Sequence, residues 1–474
     1  MTIYFFAVKE YDEPRKKASH MSNQVNLTQG SIMPQLLRLC GPLLAANVLQ
    51  QLYNIINSLV VTWYIGDNAF AALGVAESVM NLFIFVITGA CMGASVLIAQ
   101  FFGEENYPRL RQQLFVSAVL IGGCTLAAVT LGQIFLPQLL RVIQTPDELM
   151  GDVSTYLRII LLGMVFTFTY NYLASGLRAV GDTKTALYFL LLSLGYNLAA
   201  AWVLVAVLDL GISGTAIATA SAQLLSSLLC FFYIRKRRPF LTIHREDMKM
   251  DPTLIRLTSS YAAVAALQQS SLYLGKLLVQ SAVNGISLLS TAPISAFAAA
   301  TRVENFIQAF GASSCEAIAI FVAQNRGAGQ TRRTYQGFAR GIAITVSIGV
   351  LFSVGMNIGA RPLAQLFLGS DSAAMDLCIS YLQLISWFYF LSFSGHSFVG
   401  WFRGSGRMNI TFWGTTIQIV IRVIGTYLLV DLMGLDAVAL STGIGWSLIV
   451  SYQFLIFFLE RKGIWPRRAE SFVP

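Results

Sequence analysis

Among the ionisable side chains inside the long apolar stretches of this chain are Glu77, Lys276, Arg302, Glu304, Glu316, His396 and Arg422. A charge at membrane depth is expensive, so each such residue raises a functional question and needs a partner. Counted inward from the ends of their stretches, Lys276 and Glu304 come to comparable height. Paired, they cancel two charges that would each be costly in hydrocarbon. The pair reads either as a structural ion pair or as one whose carboxylate a proton or a substrate contests. Glu316 and His396 both lie within a few turns of the same end of their stretches, and a histidine beside a carboxylate titrates near neutral pH. A lone histidine is more often a hydrogen-bonded packing residue. Gln50, Gln51, Tyr53 and Asn54 in the first stretch correspond in place to Gln268 and Gln269 in the seventh. Amides accept varied ligands and Tyr53 offers a cation-π face. The same residues also serve as ordinary interhelical hydrogen-bond partners. With Lys276 and Arg302 they are the candidates for lining a substrate cavity.

The elements that must position these groups are helices. Of 474 residues 55% are hydrophobic and 12% charged, far from the balance of about 25% charged in soluble domains. Twelve apolar stretches recur, at roughly 39–64, 69–101, 112–135, 153–177, 184–208, 211–234, 257–284, 290–323, 337–358, 378–402, 409–431 and 436–459. Most are long enough to cross a bilayer core. In lipid the backbone has to satisfy its hydrogen bonds within the segment, so they are predicted to be helical. The net charge of +9 could suggest nucleic acid, but the basic residues follow membrane sidedness instead. The tails and even-numbered loops hold Arg109, Arg111, Arg178, Lys184, the run from Arg235 to Arg238, Arg326, Arg332, Arg333, Arg403, Arg407, Arg461 and Lys462. The odd-numbered loops hold Arg141 and Arg361. Both termini are therefore expected in the cytoplasm, with the chain multi-pass in the plasma (inner) membrane.

One phrase is written twice. Ala99-Gln100-Phe101-Phe102-Gly103 is followed by Arg109, and Ala323-Gln324-Asn325-Arg326-Gly327 by Arg333. Arg178-Ala179-Val180-Gly181 likewise matches Arg403-Gly404-Ser405-Gly406. The offsets of 224 and 225 residues mean that nearly half the chain repeats in order. Six helices per repeat bring both halves in from the same side, a parallel 6+6 arrangement with a cavity expected between the lobes. The expected organisation is a cytoplasmic tail over 1–32, an N-lobe over 33–234, a cytoplasmic linker over 235–256, a C-lobe over 257–460 and a cytoplasmic tail over 461–474. Six cysteines lie singly in apolar stretches, and neither a disulfide framework nor a metal spacing is indicated. Residues 1–20 lack the apolar core and small-residue cleavage site of a signal peptide.

At its loops the sequence resembles the multidrug and toxic compound extrusion (MATE) exporters. The likeness runs through Asn26-Leu27-Thr28-Gln29-Gly30-Ser31-Ile32, Gln50-Gln51-Leu52-Tyr53-Asn54, Ala69-Phe70-Ala71-Ala72-Leu73-Gly74, Gly176-Leu177-Arg178-Ala179-Val180-Gly181-Asp182 and Ala266-Leu267-Gln268-Gln269. Phe321-Val322-Ala323-Gln324-Asn325-Arg326-Gly327-Ala328-Gly329 is the most specific part. The resemblance implies an all-α polytopic membrane protein of twelve helices in two six-helix lobes, V-shaped. It also implies export of organic cations or amphipathic drugs and metabolites, xenobiotics among them, in exchange for protons or sodium by alternating access. Many relatives carry an Asp at the position of Asn57 and another at that of Ala201, the family's usual N-lobe ion acceptors. An amide cannot titrate and an alanine cannot coordinate, so that site is changed here. Asn57, Tyr156, Asn197 and Thr219 keep the family's remaining polar positions. Glu77 reaches much the same depth, and either supplies the missing carboxylate or sits hydrated near the outer interface.

No cofactor or metal is expected beyond the coupling ion, proton or sodium, and the expected partners are a small-molecule substrate and the lipid bilayer, with no nucleic acid and a monomeric chain. A second reading is a lipid or lipid-linked saccharide flippase of the same broad fold, which Lys276, Arg302 and Arg422 keep open. A transport-impaired homologue is a third. An intramembrane enzyme would need convergent catalytic groups; only His20, His244 and His396 exist, and no Gly-rich phosphate loop precedes a helix.

Overall fold

The computed structural model describes residues 26–64, 67–286, 291–369 and 372–464; for 54–64, 67–71 and 372 it describes the backbone alone. Thirteen α-helices follow one another, and the described residues contain no strand. They are α1 (Ile32–Tyr64), α2 (Asp67–Gly103), α3 (Tyr107–Val142), α4 (Asp147–Ala179), α5 (Thr183–Trp202), α6 (Gly211–Arg237), α7 (Pro252–Ile286), α8 (Ala292–Gly327), α9 (Thr331–Leu368), α10 (Ser372–Ser386), α11 (Tyr389–Gly404), α12 (Met408–Met433) and α13 (Asp436–Arg461). A π-helical turn, Val203–Val207, continues α5, and two 3-10 turns, Pro239–Leu241 and Arg245–Asp247, shape the linker.

Among the described residues ten helices are long and apolar enough to cross a membrane, α10 and α11 together make an eleventh span, and α7 is the twelfth long segment. The expected single stretch over 378–402 is broken at Trp387-Phe388 by a bend of 54°. The break has identifiable causes. Ser386 Oγ donates to the Gln383 carbonyl at 2.7 Å and accepts from Asn357 Nδ2 at 2.6 Å, inserting side-chain bonds where the helical ladder would run. Phe388 then lies against Gly443 so closely that a Cβ there would meet its ring at 2.5 Å. α7 carries the polar groups Gln268, Gln269 and Lys276, yet its 35 residues suffice in length to cross.

Helix starts follow local chemistry. Asn106 Oδ1 accepts from Arg109 N at 3.2 Å to cap α3, and Asp182 Oδ1 accepts from Thr185 N at 3.3 Å to cap α5. The repeated phrases end their helices with the same turn. Gly181 N donates to Arg178 O and Gly406 N to Arg403 O, each at 2.9 Å, with both glycines at positive φ (85° and 74°). In the other pair Gly329 (φ 67°) has Glu105 (φ 56°) as its counterpart 224 residues earlier, a left-handed position held without glycine. The ion pairs repeat with their signs exchanged. Asp182 after the first turn binds Arg238 at 2.7 Å, while Arg407 after the second binds Glu460.

The helices cluster as two units, and the division falls inside α1 and α7. Ala45–Ala266 form the first with residues 26–27; Thr28–Leu44 and the chain from Leu267 form the second. Hence α1 begins in the second unit and continues into the first, and α7 begins in the first and continues into the second. In the first unit α7 lies directly on α2: a Cβ on Gly89 would meet Ala265 O at 2.7 Å, and one on Gly93 would meet Tyr261 O at 2.4 Å. In the second, the start of α1 meets α8 through Cys40 Sγ and Ser314 Oγ at 3.7 Å. The core of this unit gathers Phe297, Tyr381, Tyr389 and Phe393.

Candidate functional site

Each unit holds an interior cluster of polar side chains. In the first unit α1, α5 and α6 meet through a chain of hydrogen bonds. Tyr53 Oη donates to Asn197 Oδ1 at 2.7 Å, Asn197 Nδ2 donates to Thr219 Oγ1 at 3.2 Å, and Thr219 Oγ1 donates to the Thr215 carbonyl at 3.0 Å. Asn197 is buried, and so is Ala201 one turn later on the same helix. Tyr156 on α4 is buried beside them, and the half-buried Glu77 carboxyl of α2 interacts electrostatically with both Tyr53 and Tyr156. Glu77, Tyr53, Tyr156, Asn197 and Thr219 therefore converge from five helices. The side chains of Asn57 and Asn54 lie outside the described residues. Gln50 is exposed on α1, with Gln51 half-buried next to it.

In the second unit the expected direct Lys276–Glu304 pair does not form. Lys276 Nζ donates instead to Asn305 Oδ1 at 3.4 Å, and Glu304 Oε2 accepts from Tyr381 Oη at 3.0 Å. A third charge explains the looser arrangement: Arg422 of α12 interacts electrostatically with both Lys276 and Glu304, so the carboxylate faces two cations rather than one. Along α8, one turn beyond Glu304, Gln308 Oε1 accepts from Ser392 Oγ at 3.0 Å. Arg422, Tyr381 and Tyr389 stand outside the ion-coupling and cavity candidates expected from the sequence. The signal for Tyr389 was its place in the Trp387-Phe388-Tyr389-Phe390 run. There Trp387 and Phe390 are exposed (65% and 42%) while Tyr389 is fully buried.

The remaining candidates separate from these clusters. Gln268 is buried and committed to packing, its Nε2 donating to Thr415 Oγ1 at 2.9 Å, whereas Gln269 is half-buried. Arg302 is exposed and stacks its guanidinium over Phe367, 5.9 Å from the ring centroid. His396 packs its ring on Gly311, and its Nδ1 lies 2.9 Å from the Ser392 carbonyl; Glu316 is half-buried on α8. Among the described residues no group of three His, Cys, Asp or Glu is placed to hold a metal ion.

The arginines of the doubled phrase each hold the lead-in to a helix that starts in their own unit. Arg109 Nη1 bonds Asp251 at 3.1 Å just before α7, helped by Arg111 on Asp247 at 2.8 Å. The Thr253 backbone N–H, with Arg109 adding to it, holds the Asp251 carboxyl below its usual range. Arg333 donates to the carbonyls of Gly30 and Gln29 and to Gln35 Oε1 around the start of α1.

A family profile described as MatE matches residues 42–203 and 265–428, most of the chain and both repeats. A probable multidrug resistance protein of Bacillus subtilis, YoeA, is 27% identical over 89% of this chain and 93% of its own length. The multidrug export protein MepA of Staphylococcus aureus is 21% identical, covering 86% of this chain and 88% of its own. Among solved structures, an outward-facing multidrug resistance MATE transporter of the MOP superfamily superposes with a TM-score of 0.87. It is 20% identical over 94% of this chain and 99% of that one. At that identity the likeness speaks for the fold.

Proposed function

The chain belongs to the MatE family, and from that premise we propose that it is a secondary active antiporter, exporting amphipathic compounds, organic cations among them, in exchange for protons or sodium by alternating access. Its relatives include a multidrug export protein and a probable multidrug resistance protein, and a multi-pass membrane transporter of small molecules is the coarser statement on which the proposal builds. The carrying observation is the first unit's cluster. Tyr53, Asn197 and Thr219 form a neutral hydrogen-bonded scaffold with Tyr156 at its side, and Glu77 brings the one titratable carboxyl among the cluster's described side chains. The positions where relatives place their acids hold Asn57 and Ala201, so Glu77 is the group that can exchange a proton or help bind sodium. On this reading both termini face the cytoplasm, the membrane is the inner one, and a monomer suffices.

The test is efflux of ethidium from proteoliposomes under separately imposed proton and sodium gradients. Wild-type protein responds to one of the two, and Glu77→Gln lowers the gradient-driven rate by about tenfold or more while the dye still binds. A wild-type protein indifferent to both gradients overturns antiport. Unchanged coupling in Glu77→Gln removes Glu77 from the mechanism. The flippase reading keeps one observation in its favour, the positive balance of the second cluster.

A further inference from the structure

The second unit's cluster has more positive charge and more hydrogen-bond donors than its own residues can answer. Lys276 and Arg422 set two cations against the single carboxylate of Glu304, a net charge of +1. Counted from the end of the unit where α7 passes to α8, the four groups lie at matching depth. Lys276 is ten residues before the end of α7, Glu304 twelve into α8, Arg422 eleven before the end of α12 and Tyr381 nine into α10. At about 1.5 Å per residue that is roughly 14–18 Å in, well within a bilayer core. Uncompensated charge at that depth is costly and marks a functional site by default.

The hydrogen-bond inventory points the same way. Tyr381 spends its hydroxyl on Glu304. The Tyr389 hydroxyl interacts electrostatically with Glu304, is fully buried, and has no hydrogen-bond partner. Buried without partners as well are Arg422 Nε and Gln308 Nε2, both of which can only donate. A buried donor left unmatched costs more than the bond itself gains, so a surplus of donors around a net positive charge calls for an acceptor that carries negative charge. Lys276 is exposed at the edge of the cluster, which leaves it reachable from outside the unit.

We propose that Lys276, Arg422, Tyr389 and Gln308 form a subsite for an oxyanion group, carboxylate or phosphate, on the transported molecule, with Glu304 holding the two cations in place. The inference rests on the export reading and narrows its substrates to amphiphiles that carry such a group, zwitterions included. Bound carboxylate brings the cluster to zero net charge with Glu304 still ionised. The subsite therefore asks for no proton of its own and leaves ion coupling to the first unit.

The test uses a pair of dyes that differ in one charge. Rhodamine 110 has a free carboxylate, and rhodamine 123 is its methyl ester. Binding of each to the purified full-length protein, and efflux of each from proteoliposomes, is compared for wild type, Arg422→Gln, Lys276→Gln and Glu304→Gln. Wild type favours rhodamine 110; Arg422→Gln and Lys276→Gln weaken it by about tenfold and leave rhodamine 123 within about twofold, whereas Glu304→Gln tightens it. Rhodamine 123 controls for a general loss of fold, and Arg422→Lys restores the preference in part. Flipping of NBD-phosphatidylglycerol that is lost in Arg422→Gln assigns the group to a lipid phosphate instead of a soluble substrate. Equal handling of the two rhodamines by wild type, with no lipid flipping that depends on Arg422, overturns the subsite. If rhodamine 123 still moves under an imposed gradient, the export reading survives that result, and binding of neither dye overturns both.

Discussion

Tyr53 shows how a residue chosen for one role acquires another. In the sequence it stood out as an aromatic face for cationic ligands, yet its hydroxyl is the donor that fixes the orientation of Asn197. Removing that hydroxyl leaves a buried amide oxygen without its donor. Tyr53→Phe is accordingly expected to destabilise the protein by about 1–3 kcal/mol, read as a lower melting temperature in detergent, with a slower gradient-driven efflux. The convergence of Tyr156, Asn197 and Thr219 was legible through the family resemblance, because motif positions carry depth and facing with them. Glu77 was legible as a carboxylate at the right level, and its place beside Tyr53 and Tyr156 needed the structure. Lys276 and Glu304 attract each other without direct contact, for a physical reason: height along a helix is readable from residue count, but the third charge, Arg422, comes from a helix whose rotation the count does not give. Gln268 illustrates the same limit, since an amide at the matching place proved to be an interhelical bond.

At the scale of elements, apolar length located the spans well, and where it misled, side-chain bonding was the cause. The break between α10 and α11 has no proline to announce it. Its source is Ser386 with Asn357 and the Phe388–Gly443 contact, and these partners are distant in sequence. That break turns Tyr389 into the core and so builds the donor-rich cluster. Close helix packing offers a sharper check. A Cβ on Gly93 would strike the backbone of Tyr261, while one on Gly123 meets nothing within 4 Å. Gly93→Ala is thus expected to cost about 1–3 kcal/mol by forcing α7 away from α2, and Gly123→Ala to leave thermal stability unchanged or slightly raised. Parallel thermal denaturation of the two variants in detergent decides the matter; equal melting temperatures would show that α7 gives way easily.

The whole molecule is a repeat whose two copies are not self-sufficient. The doubled phrase predicted two lobes, and its arginines turn out to anchor helix starts: Arg109 the lead-in to α7, Arg333 the lead-in to α1. Repetition was plain in the sequence, but the exchange of half-helices was not, because it changes no residue type and no spacing. One expectation follows for fragments. Residues 1–286 include the part of α7 that covers Gly89 and Gly93, and 1–238 do not. Expressed in membranes, the longer fragment should keep Ala45–Ala266 resistant to limited proteolysis, and the shorter should be cut within α2 to α6. Equal resistance would mean that α7 adds nothing to that unit. The exchange also sets a timetable for the newborn chain. The first unit cannot close when its six spans have left the ribosome, since it must wait for the opening turns of the next repeat. The opening turns of α1, among the earliest to be made, must wait for helices translated hundreds of residues later. Neither lobe can therefore finish maturing alone, and a lesion in either half should send both to degradation together.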